Sequence, residues 1–290
     1  MKFMLPIVAS VALLPTLFGR PAPASRTDGV TFSEAALKVG ARFEVTAAHT
    51  MKMSLSVLMG GQEVQKTAWL SVSTAACTVT IDSADATCAT AATLVFGACS
   101  EVVADPVAPA APEPRAVSGK TFTAKRGEER FVVTGKEVDV AGDAKLEIDM
   151  LVYHLLGSAP LAELLAGKTL KKGDRVEIPL EVAQACFTFF SADAEVTAFT
   201  LTLAQEPAAG TEAIVFDATA KMQLGAIEEG PVPITMEPAG TWTIARSTCR
   251  VVGMAMKGPS TMSGSIDEGG MKTETKGSGD WKLDWSVTAK

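Results

Sequence analysis

The residues best placed to do chemistry form a short alternating set, His49-x-Met51-x-Met53. An imidazole and two thioethers are soft donors suited to Cu(I). On an extended strand the three share one face at intervals of about 7 Å, because side chains alternate and each residue rises roughly 3.3 Å. Same-face neighbours on a flat strand do not readily converge on one ion, and methionine is an adaptable filler of cores and apolar sites. Packing or contact with an apolar ligand is therefore the leading reading of Met51 and Met53. A metal set of His49, Met51 and Met53 is the minor one. Met254-x-Met256 repeats the spacing later in the chain.

Hydrolytic chemistry finds little support. His49 and His154 are the only histidines, and neither adjoins a nucleophile motif. The sequence contains no Gly-x-Ser-x-Gly elbow, no His-Glu-x-x-His and no Gly-rich phosphate loop. His154, among Leu151, Val152, Leu155 and Leu156, reads as a helix-surface residue. Glu228-Glu229 adjoin Gly230-Pro231, a turn setting that suits solvated charge. No catalytic residue and no cofactor motif can be assigned, and an enzyme would have to gather carboxylates from distant strands.

Five cysteines remain: Cys77, Cys88, Cys99, Cys186 and Cys249. Their spacing matches no zinc signature, which needs close pairs. In an exported chain the expectation is disulfides, with one bridge among the first three, a second joining Cys186 to Cys249, and one thiol left over.

Export itself is read from the N-terminus. A basic start at Lys2, an apolar run from Met4 to Phe18 and a small-x-small pattern at Ala22-Pro23-Ala24 fit a signal peptide over residues 1–24. The run is short for a membrane span, which needs about 20 residues. An uncleaved anchor is the alternative, and otherwise no span follows. The expected location is periplasmic or extracellular. Net charge is −7 with acids and bases interleaved, which excludes the basic face that nucleic-acid binding requires. The chain has no Asn and hence no N-glycosylation site.

The elements that must position these residues are strands. From Phe43 to Met59 the odd positions are Phe43, Val45, Ala47, His49, Met51, Met53, Leu55, Val57 and Met59, while the even ones are polar or small up to Ser56. This is the period of a strand with one apolar face, and it is far longer than the usual five or six residues. Trp281, Leu283, Trp285 and Val287 line one face of a closing strand in the same way, after an expected turn at Gly277-Ser278-Gly279-Asp280. Further strands are expected at 67–73, 77–81, 93–96, 121–124, 130–134, 137–140, 175–182, 187–190, 195–203, 213–224, 241–244, 250–256 and 261–266. A Gly60-Gly61 hairpin turn follows the first long strand, and Asp82–Asp85 is read as another turn. Prolines at 106, 109, 112 and 114 make 104–116 a stiff loop. Only 146–167 has helical spacing, broken by Gly157 and Pro160.

Two stretches repeat. Leu37-Lys38-Val39-Gly40-Ala41-Arg42-Phe43-Glu44-Val45 recurs as Leu170-Lys171-Lys172-Gly173-Asp174-Arg175-Val176-Glu177-Ile178, and Thr121–Arg126 recurs as Thr241–Arg246. The offsets, 133 and 120, differ by the length of the 104–116 loop. The pattern predicts two pseudo-repeated β halves, 25–145 and 168–290, joined by a helical connector at 146–167.

The strand start Lys171-x-Gly173-Asp174-x-Val176 resembles one in exported bacterial β-proteins of uncharacterised function. The long one-sided strands with central helices resemble, in architecture, the periplasmic half-barrel carriers of lipids and lipoproteins. That resemblance implies a concave apolar sheet, partly closed by helices, holding an acyl chain. It supplies no binding residue that can be carried over.

The fold class expected is mainly β, a long-stranded, curved antiparallel sheet of half-barrel type. An outer-membrane barrel is disfavoured, since aromatics are 6% of residues with one tyrosine. The function expected is non-enzymatic binding of a lipid-like or apolar small molecule. Met51, Met53, Trp242, Met254, Met256, Trp281 and Trp285 are the candidate contacts, because soft thioethers and broad indoles suit such a site. The alternative is an envelope-structural or protein-interaction module.

Overall fold

A computed structural model describes residues 29–86, 88–104, 110–128, 131–135, 148, 152–157, 159–187, 194–225, 232–268 and 271–290. The strands are β1 (Val30–Thr31), β2 (Arg42–Met59), β3 (Gln62–Ala84), β4 (Ala89–Phe96), β5 (Ser100–Ala104), β6 (Glu113–Pro114), β7 (Thr121–Arg126) and β8 (Phe131–Gly135), followed by β9 (Thr169–Leu170), β10 (Arg175–Glu177), β11 (Glu195–Leu203), β12 (Ala213–Leu224), β13 (Ile234–Met236), β14 (Ala239–Ala245), β15 (Val251–Glu268) and β16 (Met271–Ala289). A π-helical turn at Val152–Leu156 and short helices at Ala162–Leu165 and Leu180–Phe187 complete the described elements. The signal segment, the strand expected at 137–140 and the Glu228-Glu229 pair lie outside the described residues.

Fourteen strands form one curved antiparallel sheet, and β1 pairs separately with β9. The main path runs β10, β11, β12, β13, β15, β16, β2, β3, β4, β7, β8, with β14 also bridging β12 and β15. The long strands β2, β3, β15 and β16 are neighbours at its centre. Gly60 and Gly61 take φ of 57° and 82° at the β2–β3 turn, a region open to glycine because it has no Cβ.

The core lies on the face that carries the odd residues of β2, where one cluster of buried side chains extends from β3 and β4 to β11 and the helices. The opposite face is wet. On it, Lys282 pairs with Asp284 at 2.6 Å, and Lys272 and Lys276 both reach Glu274.

Several sequence expectations need correction. Residues 277–280 do not turn: they lie inside β16, and Gly277 and Gly279 are there because bulky neighbours occupy the space a side chain would take. The strand expected at 175–182 stops at Glu177. Residues 180–187, where Val182 and Phe187 suggested strands, form a helix that buries Ala183, Cys186 and Phe187. β3 is a single strand through Ala84, so the Asp82–Asp85 turn begins only at Asp85. β15 likewise joins two expected strands.

The two Lys-x-Gly turns bond alike. Gly40 and Gly173 have φ of 81° and 87°. The Gly40 N–H donates to the carbonyl of Ile81, and that of Gly173 donates to Leu203. Ala41 and Asp174 each bond back to the lysine three residues earlier, and Ile81 and Leu203 donate in return to Ala41 and Asp174.

Candidate functional site

Residues opposite one another in an antiparallel ladder share a face, so the register orders the inner surface into rows. Ala47, Trp285, Met254, Trp242 and Phe216 form one row across five strands. His49, Leu283, Met256, Gly240 and Ala218 form the next. Met51, Trp281 and Gly258 follow. After them come Trp69, Met53, Gly279, Ser260, Met236 and Met222, and then Leu55, Gly277, Met262 and Ile234. Glycines stand beside large residues at several points: Gly240 beside Met256, Gly258 beside Trp281, Gly279 beside Met53 and Gly277 beside Leu55. A Cβ on Gly279 would collide with the Lys52 carbonyl oxygen and stand 2.8 Å from Met53 Sδ, and one on Gly277 would stand 2.5 Å from Leu55 Cδ2.

All seven candidate residues lie on this inner face, and none is more than 6% exposed. Aromatic contacts lock one side. Trp242 packs on Phe199 and Phe187 at 4.7 and 5.6 Å between ring centroids, and Phe187 meets Phe199 edge-on at 5.0 Å. Toward the β2–β3 turn the same face becomes only partly buried at Leu55, Val57 and Trp69. Sequence reasoning did not single out Trp69, Met222, Met236, Met262 or Ser260 as site residues. Their register with Met53 or Leu55 was the only signal, and register cannot be read from one strand at a time.

The helical connector closes the other end. His154 is buried, a correction to the helix-surface reading, with its ring 5.8 Å from Trp285. Burial drives its pKa down to about 4, partly offset by a hydrogen bond with the Cys186 backbone. Arg250 Nη1 donates to the carbonyls of Leu155 at 3.0 Å and Gly157 at 2.5 Å, pinning this segment to the sheet. The N-terminal segment ties in at the same end, where Arg246 Nε donates to the Thr31 carbonyl at 2.8 Å and Cys249 Sγ to Ser33.

His49, Met51 and Met53 follow one another along the inner face of β2. His49 stands edge-on to Trp281 at 6.0 Å, while Met53 turns its sulfur over Gly279. Burial, and then the Arg115 guanidinium, holds the His49 imidazole below its ordinary range. Among the described residues, no three His, Cys, Asp or Glu side chains are grouped to hold a metal.

The expected disulfides are absent, and all five cysteines are buried thiols. Cys77 and Cys99 are near neighbours but both remain free thiols, and Cys186 and Cys249, expected to be joined, belong to a helix and to the turn before β15. Cys88 accepts from Arg126 Nη1 at 2.6 Å beside Asp85. Burial raises Cys77, with Cys99 as the next cause, and Cys186 to about 12 each.

No family model and no curated protein matches this sequence. Among solved structures, a chain described as showing lipid–protein interactions in lipovitellin aligns with 87% of this chain at 11% identity and a TM-score of 0.35. The present chain spans about a quarter of its length, 26%. The outer membrane protein OprG from Pseudomonas aeruginosa aligns with 88% of this chain and 98% of its own at 7% identity, with a TM-score of 0.13.

Proposed function

We propose that this is an exported, non-enzymatic protein that binds a lipid-like or other apolar small molecule on the inner face of its sheet. One observation carries the reading. The inner face from Phe216 to Met53 is lined mainly by apolar side chains, with His49 and Ser260 as its polar members in these rows, and it passes from sealed residues at Trp242 and Trp285 to partly open ones at Leu55, Val57 and Trp69. A graded surface of this kind offers an entry side and a dry interior, and its thioethers can repack around varied shapes.

Native mass spectrometry of protein purified from its own compartment tests the proposal. A co-purifying apolar molecule, released on denaturation and quenching Trp69 fluorescence when brominated, supports it. Protein that carries no such molecule and does not bind the apolar dye ANS overturns it.

A protein-interaction role is the second reading. It is favoured by β8, which ends the sheet among the described residues and leaves Val132 55% exposed. Recovery of a stoichiometric protein partner that is lost on Val132→Lys would favour it over ligand binding.

A further inference from the structure

Ser260 is the one serine among the described residues that the core seals completely, and its hydroxyl has no hydrogen-bond partner there. The register sets it on the inner face between Gly279 of β16 and Met236 of β13. Met53 lays its sulfur over Gly279 from one side, Met222 opposes Met236 on the other, and Met262 is the next same-face residue along β15. Each of these four methionines is at most 6% exposed. Hydroxyls buried in apolar surroundings are ordinarily hydrogen-bonded, and one left unpaired carries an uncompensated desolvation cost. Alanine would fill the same place without that cost. A soft cation is a poor alternative occupant, since a hydroxyl is a hard ligand and no charged side chain in the row would offset its charge.

We propose that Ser260 anchors the oxygen of an otherwise apolar ligand, a long-chain alcohol, acid or ester, within this methionine row. The proposal rests on the apolar-ligand reading above and names the polar contact within it. The thioethers are the flexible element: Met53, Met222, Met236 and Met262 swing aside to admit the ligand, and the hydroxyl then exchanges its unpaired state for one hydrogen bond.

Displacement of ANS from the full chain by 1-dodecanol and by dodecane, compared in the wild type and in Ser260→Ala, tests this. The expected result is a roughly fivefold to tenfold loss of dodecanol affinity in the variant, with dodecane unchanged, since one hydrogen bond is removed. The ligand-free variant should melt at the same temperature or higher. Ser260→Cys, which keeps the volume and a weak donor, should lie between the two. Equal dodecanol affinity in wild type and Ser260→Ala overturns the assignment while leaving apolar binding intact. A ligand-free Ser260→Ala that melts several degrees lower, or does not fold, overturns it too, because the hydroxyl would then be structural. Failure of both probes to displace ANS from the wild type removes the apolar-ligand reading and this proposal together.

Discussion

Trp242 donates its indole N–H to the sulfur of Met256, 2.9 Å away, inside the sealed part of the sheet. Trp242 and Met256 thus act as one unit, a broad ring held at a fixed angle by a soft acceptor on the neighbouring strand. Met256→Leu keeps the volume but orphans the N–H. It should cost about 1–3 kcal/mol, the penalty for an unpaired buried donor, more than the swap in volume alone. In a Trp242→Phe background the same change should cost less, by a coupling of about 1 kcal/mol. Urea unfolding of the four proteins measures it, and strictly additive losses would show that the contact carries no energy.

His154 makes stability fall in mild acid. Unfolded, its imidazole titrates near 6.5; folded, near 4. Between these values the unfolded chain binds a proton that the native interior refuses. Stability therefore declines as pH drops from about 6.5 toward about 4, and this contribution levels off below that. At 1.36 kcal/mol for each pKa unit, the full loss is about 3 kcal/mol. His154→Leu should flatten that portion of the curve. Unfolding free energies at pH 7 and pH 4.5 for both proteins decide the matter, and parallel declines would rule out His154 as the source.

Gly279 and Gly277 occupy the same strand face two residues apart but should respond differently to alanine. At Gly279 the new methyl meets the Lys52 carbonyl oxygen, which belongs to the sheet backbone and cannot give way cheaply. At Gly277 the nearest atom is Cδ2 of Leu55, the free end of a side chain. Gly279→Ala should cost about 3 kcal/mol or fail to fold, and Gly277→Ala about 1 kcal/mol. Thermal melts of the pair give the comparison. Equal losses would mean that the strands separate as readily as a leucine rotates.

The cysteines should react as buried thiols. Denatured without reductant, the chain should take up five alkyl groups by mass spectrometry, and dithiothreitol should not shift its melting temperature. In the native state Cys77 and Cys186, both raised to about 12, should alkylate slowly at pH 8, because the thiolate is the reactive form. A mass two units low for any pair would restore a disulfide.

The parts of the fold legible in sequence are those where alternation runs long. β2, β11 and β12 begin and end close to where their patterns do, because a strand with one buried face must alternate throughout. Legibility fails where the partner strand sets the residue. Gly277 and Gly279 look like a turn until β2 and β15 are laid beside them, and then they are hollows filled by Leu55, Met53 and Met262. The helix at Leu180–Phe187 is only two turns long and holds Val182 and Phe187, residues equally at home in a strand, so its packing against β11 decides its form. At the site, residue types were readable and neighbours were not. Nothing within β15 alone says that Ser260 stands beside methionines contributed by three other strands.

The seam between β2 and β16 joins residues from opposite ends of the sequence, setting Met51 beside Trp281 and Ala47 beside Trp285. A ribosome delivers β2 long before β16 exists to cover its flank. Until β16 has been made, the greasy side of β2 has no neighbour on that edge. Such distant pairings fold slowly. The arrangement makes closure of the Met51–Trp281 seam a long-range step, and a chain that has not yet made it still shows the greasy side of β2 along that edge.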